Sequence, residues 1–368
     1  MAPVEAKKQS GFDAFGVPLL SFNSDLGLGY GAVGGGYLYG EGHTPYRHAL
    51  AVQAFFTNRG VQNHWLRYDG PQLIGSARIE ARLEYRRETF TPYYGPGNKA
   101  SPEVPSELLD PYYAYDRVTP AAWLRVRASP LGEQSPFHPY VGYGFRWNAL
   151  RPYAGSLLEQ QRPRGIEGGA NGQVQLGALW DTRDDESDPT RGGASEVSLR
   201  LSAEPTGSPN RYGGLTLSQR QFWPLGTPRL ILGERVVFDT LFGQVPFYEW
   251  TTIGGIQGAE GIGGMSSVRG VPRDRYGGNT KAFGNLELRF YPYDFPLLGA
   301  PVKVGGLLFA DLGRVWHPDV DDGPNSYWHT GVGTGLRLAR RAAVLRFDYG
   351  YQPVAHDNRV YLTFGHMF

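Results

Sequence analysis

Short runs of alternating apolar and polar residues recur along the whole chain. In 76–89, Ala77, Ile79, Ala81, Leu83 and Tyr85 fall on one side, and Arg78, Glu80, Arg82, Glu84, Arg86 and Glu88 on the other. A helix would scatter the apolar set around its circumference, whereas a strand gathers it on one face. The same period of two sets Val174, Leu176, Ala178 and Trp180 against Gln173, Gln175 and Asp181. It also sets Leu286, Leu288 and Phe290 against Asn285, Glu287 and Arg289, and Leu345, Phe347 and Tyr349 against Arg346 and Asp348. The pattern predicts strands over 15–24, 26–39, 46–57, 61–73, 76–89, 113–128, 137–148, 170–181, 194–203, 211–223, 228–241, 280–292, 302–315, 328–338, 342–351 and 358–367, sixteen in all.

Strands with an apolar face of roughly 9–11 residues match the bilayer when tilted, provided that the sheet closes and leaves no unpaired edge. No run of about 18 apolar residues exists, which excludes a helical span. The expected fold is therefore an all-β transmembrane antiparallel barrel of about sixteen strands. Residues 1–14 form a periplasmic amino-terminal tail and 15–368 the barrel. With both ends periplasmic, the three longest connections, 90–112, 149–169 and 242–279, all follow odd strands and fall outside. The alternating last strand ends in an aromatic residue, with Phe364 and Phe368 expected on one face, which resembles the signal by which outer-membrane barrels are handed to the assembly machinery.

Composition sharpens this picture. There are 52 glycines and 28 prolines, and aromatics make up 14% of the chain, which suits strands joined by turns. Tyr93, Tyr94, Trp223 and Tyr291 near strand ends suit interfacial girdles. Absence of cysteine removes disulfides and thiolate sites, and a net charge of +1 gives no reason to expect nucleic acid. The start MAPVEAKKQS lacks the apolar core of a signal peptide, so the chain reads as a mature protein behind an added Met1.

Little catalytic chemistry is visible. Gly29-Tyr30-Gly31-Ala32-Val33-Gly34 matches a dinucleotide fingerprint, but a strand follows it where a helix is required. Asp181, Asp184, Asp185, Glu186 and Asp188 could ligate calcium, yet Arg183 and Arg191 interrupt them and the segment reads as a turn. The eight histidines show no metal spacing, so neither cofactor nor metal is expected. Ser266 and Ser267 are the candidate nucleophiles of a lipid-modifying enzyme, without a nucleophile elbow. No catalytic residue is assigned.

One segment separates this chain from a general porin. Val268-Arg269-Gly270 in the 242–279 loop, followed by the strand Asn285-Leu286-Glu287-Leu288-Arg289-Phe290, resembles the BamA/TamA superfamily, also called bacterial surface antigen proteins. Phe309-Ala310-Asp311-Leu312-Gly313 and Leu345-Arg346-Phe347-Asp348-Tyr349 resemble two later strands of that family. The resemblance implies a sixteen-stranded barrel whose sixth extracellular loop folds into the lumen. By parity Phe309, Asp311, Gly313, Glu287, Arg289 and Asp348 face that lumen, so Arg269 is expected to pair with Asp311, or with Glu287 as the alternative. Val271 stands where the family has an aromatic.

The resemblance further implies an outer-membrane protein of a Gram-negative bacterium that assists insertion or translocation of protein or lipid. Its partners would be phospholipid and lipopolysaccharide, the barrel assembly machinery for its own insertion, and a separate periplasmic protein or lipoprotein. That last partner would replace the family's POTRA domains, for which about fifteen residues ahead of the first strand leave no room. A passive diffusion channel is the rival reading, and a lipid-modifying enzyme a third.

Overall fold

The computed structural model describes residues 10–368 apart from 42, 44, 100–110, 133–134, 256–258, 298–299 and 341–342. The tail up to residue 9 and the middle of connection 90–112 therefore lie outside the described residues.

Sixteen antiparallel strands close into a barrel. They are β1 (Gly11–Asn23), β2 (Gly27–Tyr39), β3 (His48–Thr57), β4 (Val61–Ile74), β5 (Ala77–Pro92), β6 (Ala114–Arg127), β7 (Phe137–Pro152), β8 (Gly169–Asp181), β9 (Gly192–Ser202), β10 (Tyr212–Pro224) and β11 (Leu230–Gly243). A two-residue hairpin, β12 (Thr252–Ile253) with β13 (Ala259–Glu260), sits in the long loop. The barrel resumes with β14 (Thr280–Leu297), β15 (Ala300–Trp316), β16 (His329–Arg340), β17 (Ala343–Gln352) and β18 (Asp357–Phe364).

Period two explains the layering. On β16, Leu336 is 62% exposed and its neighbour Arg337 1%. Outward positions such as Leu83, Leu199, Val236 and Leu308 are exposed and apolar. Inward positions such as Arg200, Asp239, Lys281 and Arg289 are polar and buried. This inverts a water-soluble core and is what a surrounding hydrocarbon phase demands.

The structure corrects several expectations. β1 starts at Gly11, so 11–14 belong to the barrel and not to the tail. β14 runs on to Leu297 past an irregularity between Phe290 and Tyr293. β18 stops at Phe364, and Gly365 adopts φ +87, turning the last residues inward. Phe364 accordingly faces out, 46% exposed, while Phe368 is 7% exposed and packs against Phe222, Ile231, Tyr291 and Val344. The two therefore do not share a face. Tyr93, Tyr94 and Tyr291 are buried and form no girdle, whereas Trp223 is exposed. Tyr93 joins Tyr212, Phe247, Tyr248, Trp250 and Leu158 in an aromatic cluster. Leu158 lies on a short helix, α1 (Leu157–Gln161), that the sequence pattern did not announce.

The closing seam is thin. β1 meets β18 through Phe22 with Leu362 and Asn23 with Tyr361. Every other neighbouring pair shares eight or more residue pairs, as in β3 with β4 and β17 with β18. Most of the outer edge of β1, from Gly11 to Ser21, is thus left without a strand partner.

Candidate functional site

The site is built where the loop after β11 returns to the wall. Its tip, 261–271, is folded on itself: Ser267 Oγ donates to the Gly261 carbonyl at 2.5 Å and accepts from Gly263 N–H, and Gly264 N–H donates to the Val271 carbonyl. Ile262, Val268 and Val271 are fully buried against Val237, Phe283 and Val315 of the wall. Val271 therefore fills its site without an aromatic ring. Ser267, fully buried with its hydroxyl engaged in these bonds, has no free path to a substrate.

Arg269 is fully buried. Its Nε donates to Asp311 Oδ2 at 2.8 Å and its Nη2 to Asp311 Oδ1 at 2.9 Å, a bidentate fork. Its backbone N–H also reaches Asp311 Oδ2, at 3.1 Å. Nη1 donates to Glu287 Oε1 at 2.7 Å and Asp348 Oδ2 at 3.2 Å, and the guanidinium carbon lies 3.5 Å from the centre of the Phe309 ring. One cation thus touches carboxylates on β14, β15 and β17. Around it Arg289 holds Glu287 and Arg337 holds Asp348 at 2.5 Å, so Glu287 and Asp348 each have at least two cationic neighbours, while Asp311 has Arg269 and the Asn285 amide, which donates to Oδ1 at 2.8 Å.

Close approach depends on missing side chains. Gly270 adopts φ +92, and its N–H donates to the Tyr361 hydroxyl of β18 at 3.3 Å. A Cβ on Gly350 would stand 2.6 Å from Gly270 N, and one on Gly331 would stand 1.9 Å from the Arg269 carbonyl. Gly313 is likewise filled by Val268, 2.7 Å from where its Cβ would be.

A second anchor escaped the sequence reading. Arg273 donates to Glu88 of β5 through Nη2 at 2.6 Å and Nη1 at 3.2 Å, and its backbone N–H donates to Asp25 in the β1–β2 turn. Arg359 of β18 also donates to Asp25, at 3.1 Å. Loop, first hairpin and last strand therefore meet on one carboxylate beside the seam. Nothing in the local pattern pointed to Arg273, although Glu88 closes the inward carboxylate row of β5. Burial, reinforced by Asp274 and opposed by Arg273, pushes Glu260 up to about 7. Burial likewise raises Asp274.

The acidic turn after β8 is spent on structure. Asp181 takes Arg183, and Asp184 takes Thr190. Asp188 crosses to Lys303 at 2.9 Å and to His366 of the inward tail at 3.0 Å. Burial alone would raise the Asp188 carboxyl, but these two donors hold it at about 2. Arg289 adds a bond to the Phe368 carbonyl at 3.2 Å. Among the described residues no cluster of three or more His, Asp or Glu has the arrangement of a metal site.

A family model described as the Omp85 superfamily domain matches residues 138–368. No curated protein matches in sequence. Among solved structures, BamA from Haemophilus ducreyi lacking POTRA domains 1–3 superposes with a TM-score of 0.62 at 17% identity, over 97% of this chain and 70% of that one. CdiB from Escherichia coli gives 0.64 at 14% identity over 96% of this chain, and CdiB from Acinetobacter baumannii 0.56 at 14% over 96%. This chain spans 62% and 59% of those two CdiB chains. At such identities the likeness is one of fold.

Proposed function

Because the chain belongs to the Omp85 superfamily, we propose that it assists insertion or translocation of protein, or of lipid, at the outer membrane of a Gram-negative bacterium. In this reading the loop is a lumen plug held by Arg269, and the β1–β18 seam is the place where the wall opens. The observation that carries it is the seam itself: two residue pairs join β1 to β18, beside a loop bonded to both edges through Asp25 and Tyr361. Backbone groups left unpaired in hydrocarbon cost several kcal/mol each, so the open edge of β1 is a standing demand for another strand or for solvation. A periplasmic protein or lipoprotein as partner, and lipid as surroundings, belong to the same proposal.

The test is electrical and biochemical. Reconstituted in a planar bilayer, the protein should conduct little, and Arg269→Ala should raise or destabilise the current. Steady, large conductance indifferent to Arg269→Ala would instead mark a passive diffusion channel. Affinity purification from native membranes should recover a periplasmic partner, and repeated recovery of the barrel alone would count against the assembly role.

A further inference from the structure

Polar side chains face most of the lumen, but behind the thin seam the lining turns apolar. A cavity of about 310 Å³ lies there. Leu19 of β1, Phe55 of β3, Val61 of β4 and Met265 of the loop tip line it from within. The Phe55 ring fits because Gly29 of β2 bears no Cβ, which would stand 2.3 Å from it. Asn23 Nδ2 donates to the Met265 sulfur at 3.5 Å and fixes the thioether beside the cavity. The cavity also reaches Leu20 and Phe364, which are 59% and 46% exposed on the outer surface. The register of Phe22 with Leu362 would set these two residues opposite each other, yet no pairing is made there. The wall is open between them, and the cavity is continuous with the face that meets hydrocarbon. At its inner end Asn63, Arg86 and Glu260 also line a polar cavity of about 360 Å³. Arg86 is already held by Glu88, so no cation of the apolar cavity is left to call for an anion.

We propose that this cavity is a binding site for one acyl chain of a membrane phospholipid, which passes inward between Leu20 and Phe364 while its headgroup stays at the bilayer surface. Apolar cavities shed water and take apolar guests, and this volume lies at the lower end of small-molecule sites. Hydrocarbon is what stands at the opening, because Leu20 and Phe364 belong to the outward apolar face of the barrel. The unpaired stretch of β1 runs from this opening away from the long loop. With that loop outside, the adjoining leaflet is the periplasmic one, which is phospholipid. An adding strand would bond to the backbone edge of β1 and leave the lumen-side cavity empty. A seated chain keeps lumen water out of the hydrocarbon at a place where the wall has no ladder. Such a site requires only that the barrel stand in a bilayer, and not that the seam open.

Contact labelling from within the bilayer tests it. The whole protein is reconstituted in phosphatidylethanolamine vesicles with a trace of phosphatidylcholine that carries a diazirine at the end of one acyl chain. After illumination, peptide mass mapping should find adducts on Phe55 and Met265, which face the cavity, as well as on Leu336 of the outer surface. Ser21 also lines the cavity, and its hydroxyl holds no other group. Ser21→Trp should fill the space with an indole and lose the adducts on Phe55 and Met265 while keeping those on Leu336. Val52→Trp, on the outward face of β3, should keep all of them. Unaltered heat-modifiability on electrophoresis establishes that each variant is a folded barrel. Where Ser21→Trp fails that criterion, Leu19→Asn carries the test, since a polar wall should also expel the chain. Adducts on Leu336 with none on Phe55 or Met265 would mean a water-filled cavity and overturn the proposal. So would equal labelling in the folded cavity variant, or a loss as large in Val52→Trp. Labelling of Phe55 that persists in Ser21→Trp but is abolished by a peptide of residues 357–368 would give the opening to a strand and overturn it as well.

Discussion

A guanidinium as deeply buried as that of Arg269 is tolerable only while every lobe is paired, and the structure pairs it with three carboxylates and an aromatic face. Arg269→Ala removes the cation and leaves buried charge behind, which should cost the seated loop about 3–5 kcal/mol. Limited proteolysis of the loop checks this: the variant should be cut where the parent resists. Arg269→Lys should give an intermediate rate, because an ammonium cannot fork to Asp311. Beside the second anchor, Glu260 titrates well above the ordinary carboxylate range. A carboxyl whose pKa is raised in the seated state binds its proton more tightly there than when released. Seating therefore gains stability as pH falls from about 7 toward the ordinary carboxylate range, and loses it as pH rises through 7. Cleavage of the loop should be faster at pH 8 than at pH 5.5, and Glu260→Gln should flatten that difference; a profile unchanged by Glu260→Gln would refute it. Strand parity set Asp311, Glu287 and Asp348 on the interior face, and the resemblance carried by the Val268-Arg269-Gly270 loop offered Arg269 as the partner of Asp311, or of Glu287; that it also reaches Asp348 was not expected. Neither parity nor resemblance could show Arg273 on Glu88, since residues 185 apart in sequence are joined by the closure of the barrel and by no local pattern.

At the scale of elements the strands were legible because one face meets lipid and the other a polar interior, which writes period two into the sequence. What escaped has a different cause. The α1 turn lies in a connection where no alternation is imposed, and the inward bend after Phe364 follows from a single glycine and long-range anchors, Asp188 on His366 and Arg289 on the Phe368 carbonyl. The glycines at 331 and 350 were likewise opaque, because what forbids a side chain there is a loop about sixty to eighty positions earlier. That yields a prediction independent of charge. Gly350→Ala places a methyl against Gly270 N with Arg269 and its carboxylates intact. Overpacking of this kind costs about 1–3 kcal/mol, so the loop should loosen by proteolysis to a lesser degree than in Arg269→Ala. Protection equal to the parent's would show that the wall yields and that the contact is not limiting.

For the whole molecule, the decisive asymmetry is between fifteen well-laddered strand junctions and one junction of two residue pairs. A barrel needs closure to survive in hydrocarbon, and this one entrusts closure partly to side chains: Asp25 holds Arg359 across the seam, and the loop ties Asp25 to Glu88 through Arg273. Opening the wall then costs few backbone bonds, and the loop is placed to govern that cost. A covalent bridge across the seam separates this mechanism from a rigid channel. Phe22→Cys with Leu362→Cys joins two register partners, and oxidation should fix β1 to β18. If the seam is the working part, the oxidised protein should lose its ability to support growth or client insertion, and reduction should restore it, while pore conductance of Arg269→Ala in the same background persists. Full activity in the oxidised state would place the path elsewhere, through the lumen, and leave the thin seam as a tolerated weakness of the fold.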